Sequence, residues 1–124
     1  MIESHVTSLE ISKKLKESGW TKETEFWWGI KIIGKANQHP ALYSNEIAQV
    51  YINNKVGEFY PAAFATEILE ELPNRMAGVG VLKIYKFPNE YEITYASIYP
   101  QKDKTLLDAL AAMWLYLKQE ELLK

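Results

Sequence analysis

The sequence predicts an α+β fold: an antiparallel sheet of about four strands and three helices, in the order α-β-β-α-β-β-α, layered as a helix/sheet sandwich in a single domain over residues 1–124. Three observations carry this expectation. Apolar residues recur at helical spacing after Leu9, before Pro73 and from Leu106 onward. They alternate at the two-residue period of a strand over 24–33 and 79–99, and Gly, Asn, Ser and Pro collect between these segments.

The first element is a helix from Leu9 to Ser18. Leu9, Ile11 and Leu15 are interleaved with Lys and Glu, Ser8 can accept a hydrogen bond from the first turn, and Gly19 can adopt the left-handed conformation that closes a helix. The stretch TEFWWGIKII follows, with Phe26, Trp28, Ile30 and Ile32 on one parity, as a strand with one buried face requires. Residues 34–46, GKANQHPALYSNE, have the composition of a loop and match no expected pattern. IAQVYIN is read as a second, shorter strand before the turn signals Asn53-Asn54 and Gly57.

The segment YPAAFATEILEELP, residues 60–73, is read as a helix that starts between Pro61 and Ala65 and ends at Pro73, which cannot continue it. Ile68, Leu69 and Leu72 form its apolar face against Glu67, Glu70 and Glu71. Val79 to Tyr99 reads as a hairpin turning at Pro88-Asn89-Glu90, its first arm apolar on both faces as in a central strand. The chain closes on a helix capped by Asp103 or Thr105, with Leu106, Leu110, Met113, Trp114 and Leu117 as its core stripe. A shift of 38 residues lays Ile68–Leu72 on Leu106–Leu110, each after a Tyr-Pro, so a duplicated strand-strand-helix unit is a second reading of the same pattern.

Composition excludes several chemistries. A 124-residue chain can bury about two-thirds of its unfolded surface without a covalent staple. It has no cysteine, which removes disulfides, thiolate nucleophiles and Cys-ligated zinc. Met1–His5 has neither the basic nor the apolar run of a secretory signal, so a cytoplasmic location is expected. The longest apolar run, Ala109–Leu117, is nine residues, against about 18 for a membrane span. With a net charge of −2, broad attraction to nucleic acid is not expected. The one basic cluster, Lys13, Lys14 and Lys16, is flanked by Glu10 and Glu17 as on a solvated helix face.

No catalytic or metal motif is present. His5 and His39 lie far apart and in no ligand spacing, so neither a metal nor another cofactor is expected. A nucleophile elbow is absent, and Gly78-Val79-Gly80 lacks the third glycine of a dinucleotide fingerprint. The glutamates 67, 70 and 71 have no second catalytic group beside them in the sequence and read as a solvated face. Trp27-Trp28 is more informative, because neighbours in a strand point to opposite faces. With Trp28 on the buried parity, Trp27 either meets a second helical layer or anchors a partner, and Tyr51 and Tyr116 could share that surface.

At LEISKKLKESGW, YPAAFATEILEELP and LLDALAAMWLYLKQEELL the chain resembles small proteins of prophages and bacterial genomes grouped as the phage ABA sandwich domain. The resemblance implies a helix–sheet–helix sandwich with no established activity, and hence no catalytic residues to carry over. The expectation is a cytoplasmic, phage- or mobile-element-related protein without enzymatic activity that binds another protein or self-associates. One alternative is a small enzyme or ligand-binding protein using Glu67, Glu71 and His39. The other is a nucleic-acid accessory protein using Lys13, Lys14, Lys16 and Arg75.

Overall fold

The computed structural model describes residues 2–32 and 39–123. The chain forms two compact units, Met1–Phe64 and Ala65–Lys124. Both combine helices with antiparallel sheet, so the α+β class holds, but the number and order of elements differ from the expected ones.

In the first unit, a short 3₁₀ turn at Ile2–Ser4 precedes α1 (Leu9–Glu17). The Ser8 hydroxyl caps α1 by accepting from the Ile11 N–H at 3.2 Å, and Gly19 closes it at φ +99°. Strand β1 (Phe26–Ile30) is the centre of a three-stranded sheet, between β2 (Ala41–Ser44) and β3 (Glu58–Ala62). β1 ends earlier than the alternation suggests because Lys31 stands at φ 56°. That left-handed residue breaks the parity and sends Ile32 into a cluster with Ala48 and Phe59.

Two expectations fail here. The strand read at 47–53 is instead a helix, α2 (Asn45–Asn53). β-Branched residues made that segment look extended, yet Ala48, Tyr51 and Ile52 share one helical face, and the Ser44 hydroxyl accepts from the Ile47 N–H at 3.5 Å. The expected loop at 34–46 contains β2, four residues being too few to show a period, and its last two residues begin α2; residues 34–38 lie outside the described residues. Tyr60-Pro61 belongs to β3, so the helix expected to start between Pro61 and Ala65 starts at the later of the two, Ala65. Proline is compatible with this strand because β3 is at the sheet edge, where a missing N–H breaks no ladder bond.

The second unit opens with α3 (Ala65–Glu71), followed by the two-stranded turn β4 (Arg75–Met76) and β5 (Gly80–Val81). A meander of β6 (Lys83–Lys86), β7 (Tyr91–Thr94) and β8 (Gln101–Asp103) leads to α4 (Leu106–Gln119), capped by Thr105. Leu110, Met113, Trp114 and Leu117 are buried as expected, joined by Ile68 of α3 and Ile93 of β7. Leu106 of the expected stripe is half-buried. The Tyr95 hydroxyl, also buried, donates to the Pro73 carbonyl at 2.5 Å.

The first arm of the hairpin is not a central strand: β6 is an edge, exposed at all four residues, and β7 is central. Among the described residues there are thus four α-helices rather than three, and three separate sheets in place of one of about four strands. The duplicated-unit reading finds no support in the connectivity. One sheet has order β2-β1-β3, with a helix between β2 and β3, while the other is an uninterrupted meander.

Candidate functional site

The first unit carries a groove of about 550 Å³ between the end of α1, the 20–23 segment, α2 and the entry to β3. Its floor is apolar, formed by Trp20, Trp27, Ile52 and Phe59, and its rim carries Lys16, Glu23, Lys55 and Glu58.

The floor is set by the sheet. Gly29 of β1 is paired with Phe59 of β3 and Ala41 of β2. Because it lacks a side chain, the rings of Phe59 and Tyr43 close over it, and a Cβ there would lie 2.7 Å from the Phe59 ring and 2.8 Å from that of Tyr43. Tyr51 of α2 completes the cluster, stacked on Phe59 at 5.9 Å and 14°, with Tyr43 edge-on to both rings. α2 therefore lies on the Trp27 side of the sheet.

Trp27 and Trp28 point to opposite faces, as strand geometry demands. The Trp28 indole N–H donates to the Thr7 carbonyl at 2.7 Å, and that of Trp27 donates to the Asn45 side-chain oxygen at 2.8 Å. Asn45 also accepts from Gln49 at 3.0 Å and donates to the Glu23 carboxylate at 3.0 Å. A single amide at the start of α2 thus orients the indole and ties down one wall of the groove.

On the other wall, the Lys16 ammonium donates to the Phe59 carbonyl at 2.9 Å and sits 4.9 Å from the centre of the Tyr60 ring, with Lys13 at 5.6 Å from the same ring. The Tyr60 hydroxyl donates to Glu58 at 2.9 Å, and Lys31 pairs with the other Glu58 oxygen at 2.9 Å. The Lys31 hydrogen bond, then that of Tyr60, holds the Glu58 carboxyl below its ordinary value, while the Glu58 bond and burial push the Tyr60 phenol up. Lys55 stands at φ 56° just beyond α2, a left-handed position usually given to glycine.

Of the residues expected to contact a partner, Trp27 and Tyr51 come together in one aromatic cluster, Trp27 on the groove floor and Tyr51 behind it. Tyr116 is half-buried on α4 of the second unit. His39 is exposed in the first unit, whereas Glu67 and Glu71 lie on α3 in the second. The basic cluster is divided in its contacts, with Lys14 3.8 Å from Glu10 and Lys16 turned onto Phe59; Arg75 is exposed on β4 of the second unit. Among the described residues no three His, Asp or Glu side chains are placed to hold a metal ion, and no helix is long and apolar enough to cross a membrane.

Sequence reasoning missed Phe59, Ile52 and Asn45, and named Lys16 only as a possible nucleic-acid contact. The available signal was Asn45 itself, a polar residue following a capping serine at the start of a segment with helical spacing. Comparison of the chain with protein-family models, curated proteins and solved structures returns no match.

Proposed function

We propose that this protein is a non-catalytic binding module that takes a segment of another polypeptide into the groove of its first unit. The supporting observation is an aromatic floor of Trp20, Trp27 and Phe59 bordered by the charged side chains of Lys16, Glu23, Lys55 and Glu58. Glu58 is driven further toward carboxylate and Tyr60 further toward the neutral phenol. An acid–base catalyst needs the reverse, a carboxyl raised or a phenol lowered toward the working pH. Tryptophan and aromatic floors with a charged rim are the composition of protein-recognition hot spots. The left-handed Lys55 on the rim adds a strained position of the kind found at binding sites.

The enzyme reading has less to support it, since none of Glu67, Glu71 and His39 lines this groove. The resemblance to phage ABA sandwich proteins supports a cytoplasmic, mobile-element-related setting, and neighbouring capsid, tail or lysogeny genes would be the expected genomic context.

The test is photo-crosslinking in the source cell, with benzoylphenylalanine placed at Thr21 on the groove lining. A discrete polypeptide should be captured, and Gln49→Trp, which fills the groove, should abolish the capture. Capture unaffected by filling the groove, or no polypeptide captured at all, overturns the proposal.

A further inference from the structure

The second unit presents a sheet edge that its own chain covers only in part. β6 is an outer strand of β6-β7-β8, and Ile84, Tyr85 and Phe87 are 43%, 44% and 43% exposed. The Phe87 N–H donates to the Glu90 carbonyl at 2.8 Å, so Phe87 and Glu90 form a hydrogen-bonded pair at the β6–β7 turn. In an antiparallel ladder such pairs recur every second residue. Tyr85 and Lys83 therefore bond across to β7, while the N–H and C=O groups of Ile84 and Lys86 point away from it.

On that outer side only the start of the edge is occupied. The Leu82 N–H donates to the Asn74 carbonyl at 2.9 Å, and β5 pairs with β4. From Ile84 to Lys86 no strand pairs with the edge among the described residues.

We propose that this edge pairs with β6 of a second copy of the chain, antiparallel about a twofold axis through Tyr85, joining two three-stranded sheets into one. Parity and charge select that register. The outward-facing Ile84 and Lys86 must oppose themselves or one another, so the axis can pass only through residue 84, 85 or 86. An axis through 84 sets Lys86 against Leu82 of the second copy, whose N–H is already bonded to Asn74. An axis through 86 sets Lys86 against Lys86 of the second copy, and like charges directly opposed repel.

The axis through 85 satisfies every group. Ile84 and Lys86 exchange both backbone hydrogen bonds with Lys86 and Ile84 of the second copy. Tyr85 packs on its mate, and Lys83 lies across from Phe87, a cation beside an aromatic ring. Lysines on an edge strand ordinarily deter pairing. Here Lys86 deters the register through residue 86 and the Asn74 bond to Leu82 blocks the one through 84; the register that is left is closed, so it cannot propagate into a fibre. This interface belongs to the second unit and stands independently of the groove.

The test uses the full-length chain, which has no cysteine of its own. In the proposed dimer residue 85 faces itself in a non-hydrogen-bonded pair with Cα atoms about 4.5 Å apart, within disulfide reach. Oxidised with diamide, Tyr85→Cys should form a linked dimer at least tenfold faster than Phe87→Cys, whose mates are offset by about 13 Å along the strands. Light scattering of the unmodified chain at micromolar concentration should give a mass of two copies. Lys86→Pro, which removes an outward N–H and spares the β6–β7 ladder, should give one copy with unchanged circular dichroism. A monomeric unmodified chain, equal linkage at 85 and 87, or a dimer that a folded Lys86→Pro variant retains overturns the proposal; the cysteine pair decides the case if Lys86→Pro does not fold.

Discussion

Trp27 and Asn45 are joined by a 2.8 Å hydrogen bond from the indole N–H to the amide oxygen, and this one bond links the central strand of the first sheet to the first residue of α2. The same amide holds Gln49 and Glu23, so its removal leaves the half-buried indole N–H without a protein acceptor. Asn45→Ala should cost about 1–3 kcal/mol of stability, the penalty for an unsatisfied buried donor. Urea unfolding followed by tryptophan fluorescence checks this, and with Glu23→Gln removing the facing carboxylate, Asn45→Asp should retain more stability than Asn45→Ala because its oxygens still accept from Trp27.

Gly29 is under a steric constraint rather than a conformational one, since its backbone is ordinary strand and the obstacle is the Phe59 and Tyr43 rings. Gly29→Ala should destabilise by about 1–3 kcal/mol through overpacking. The double variant Gly29→Ala with Phe59→Leu should lose less than the sum of its two parts, because the smaller side chain vacates the contested space. A thermal-denaturation double-mutant cycle reads the coupling directly.

Lys55 accepts a left-handed backbone at φ 56°, following a helix closed by the Val56 N–H bonding to the Tyr51 carbonyl at 2.9 Å. Lys55→Gly relieves that conformation and should raise stability by up to about 1 kcal/mol. On the binding reading it should also weaken groove-dependent crosslinking. A gain in melting temperature with reduced capture is the expected pair of results.

Glu58 is held ionised chiefly by Lys31, and its lowered value fixes the direction of a pH effect. A carboxyl whose folded value is depressed contributes stability above its unfolded value near 4.5, and loses that contribution as pH falls through the folded value. Lys31→Met should therefore move the Glu58 carboxyl titration upward in NMR and reduce the acid sensitivity of unfolding. Tyr60→Phe should produce the same shift to a smaller degree, its hydrogen bond being the second cause.

Tyr95 works at the opposite end of the pH scale. Burial raises its phenol from 10.0 to about 12, so its contribution is complete below pH 10 and is lost as pH rises through about 12. Tyr95→Phe should lower stability at pH 7 by about 1 kcal/mol, from loss of the bond to Pro73. The same variant should flatten the alkaline fall in stability between pH 10 and 12, which denaturant titrations at stepped pH would show.

Helix ends were the most legible part of the fold. Ser8, Gly19 and Thr105 act through bonds within one turn of their own position, and all three stand where local chemistry places them. The opposite faces of Trp27 and Trp28 were legible for the same reason. The segment at 47–53 was not: its β-branched residues suit a strand by composition, and packing of Ala48, Tyr51 and Ile52 onto the first sheet overrides that preference. β6 was misplaced because apolar residues on both faces mark either a central strand or an exposed edge, and only pairing distinguishes them.

By itself the sequence determined the α+β class, the caps of α1 and α4, and the lack of cysteine, because each depends on residue identity or on neighbours a few positions apart. The tertiary structure alone decided that Gly29 would admit two rings, that Lys16 would turn onto Phe59, and that β6 would be left at an edge. Those contacts join residues 14 to 43 positions apart, or depend on which strands fail to pair, and no local periodicity records either.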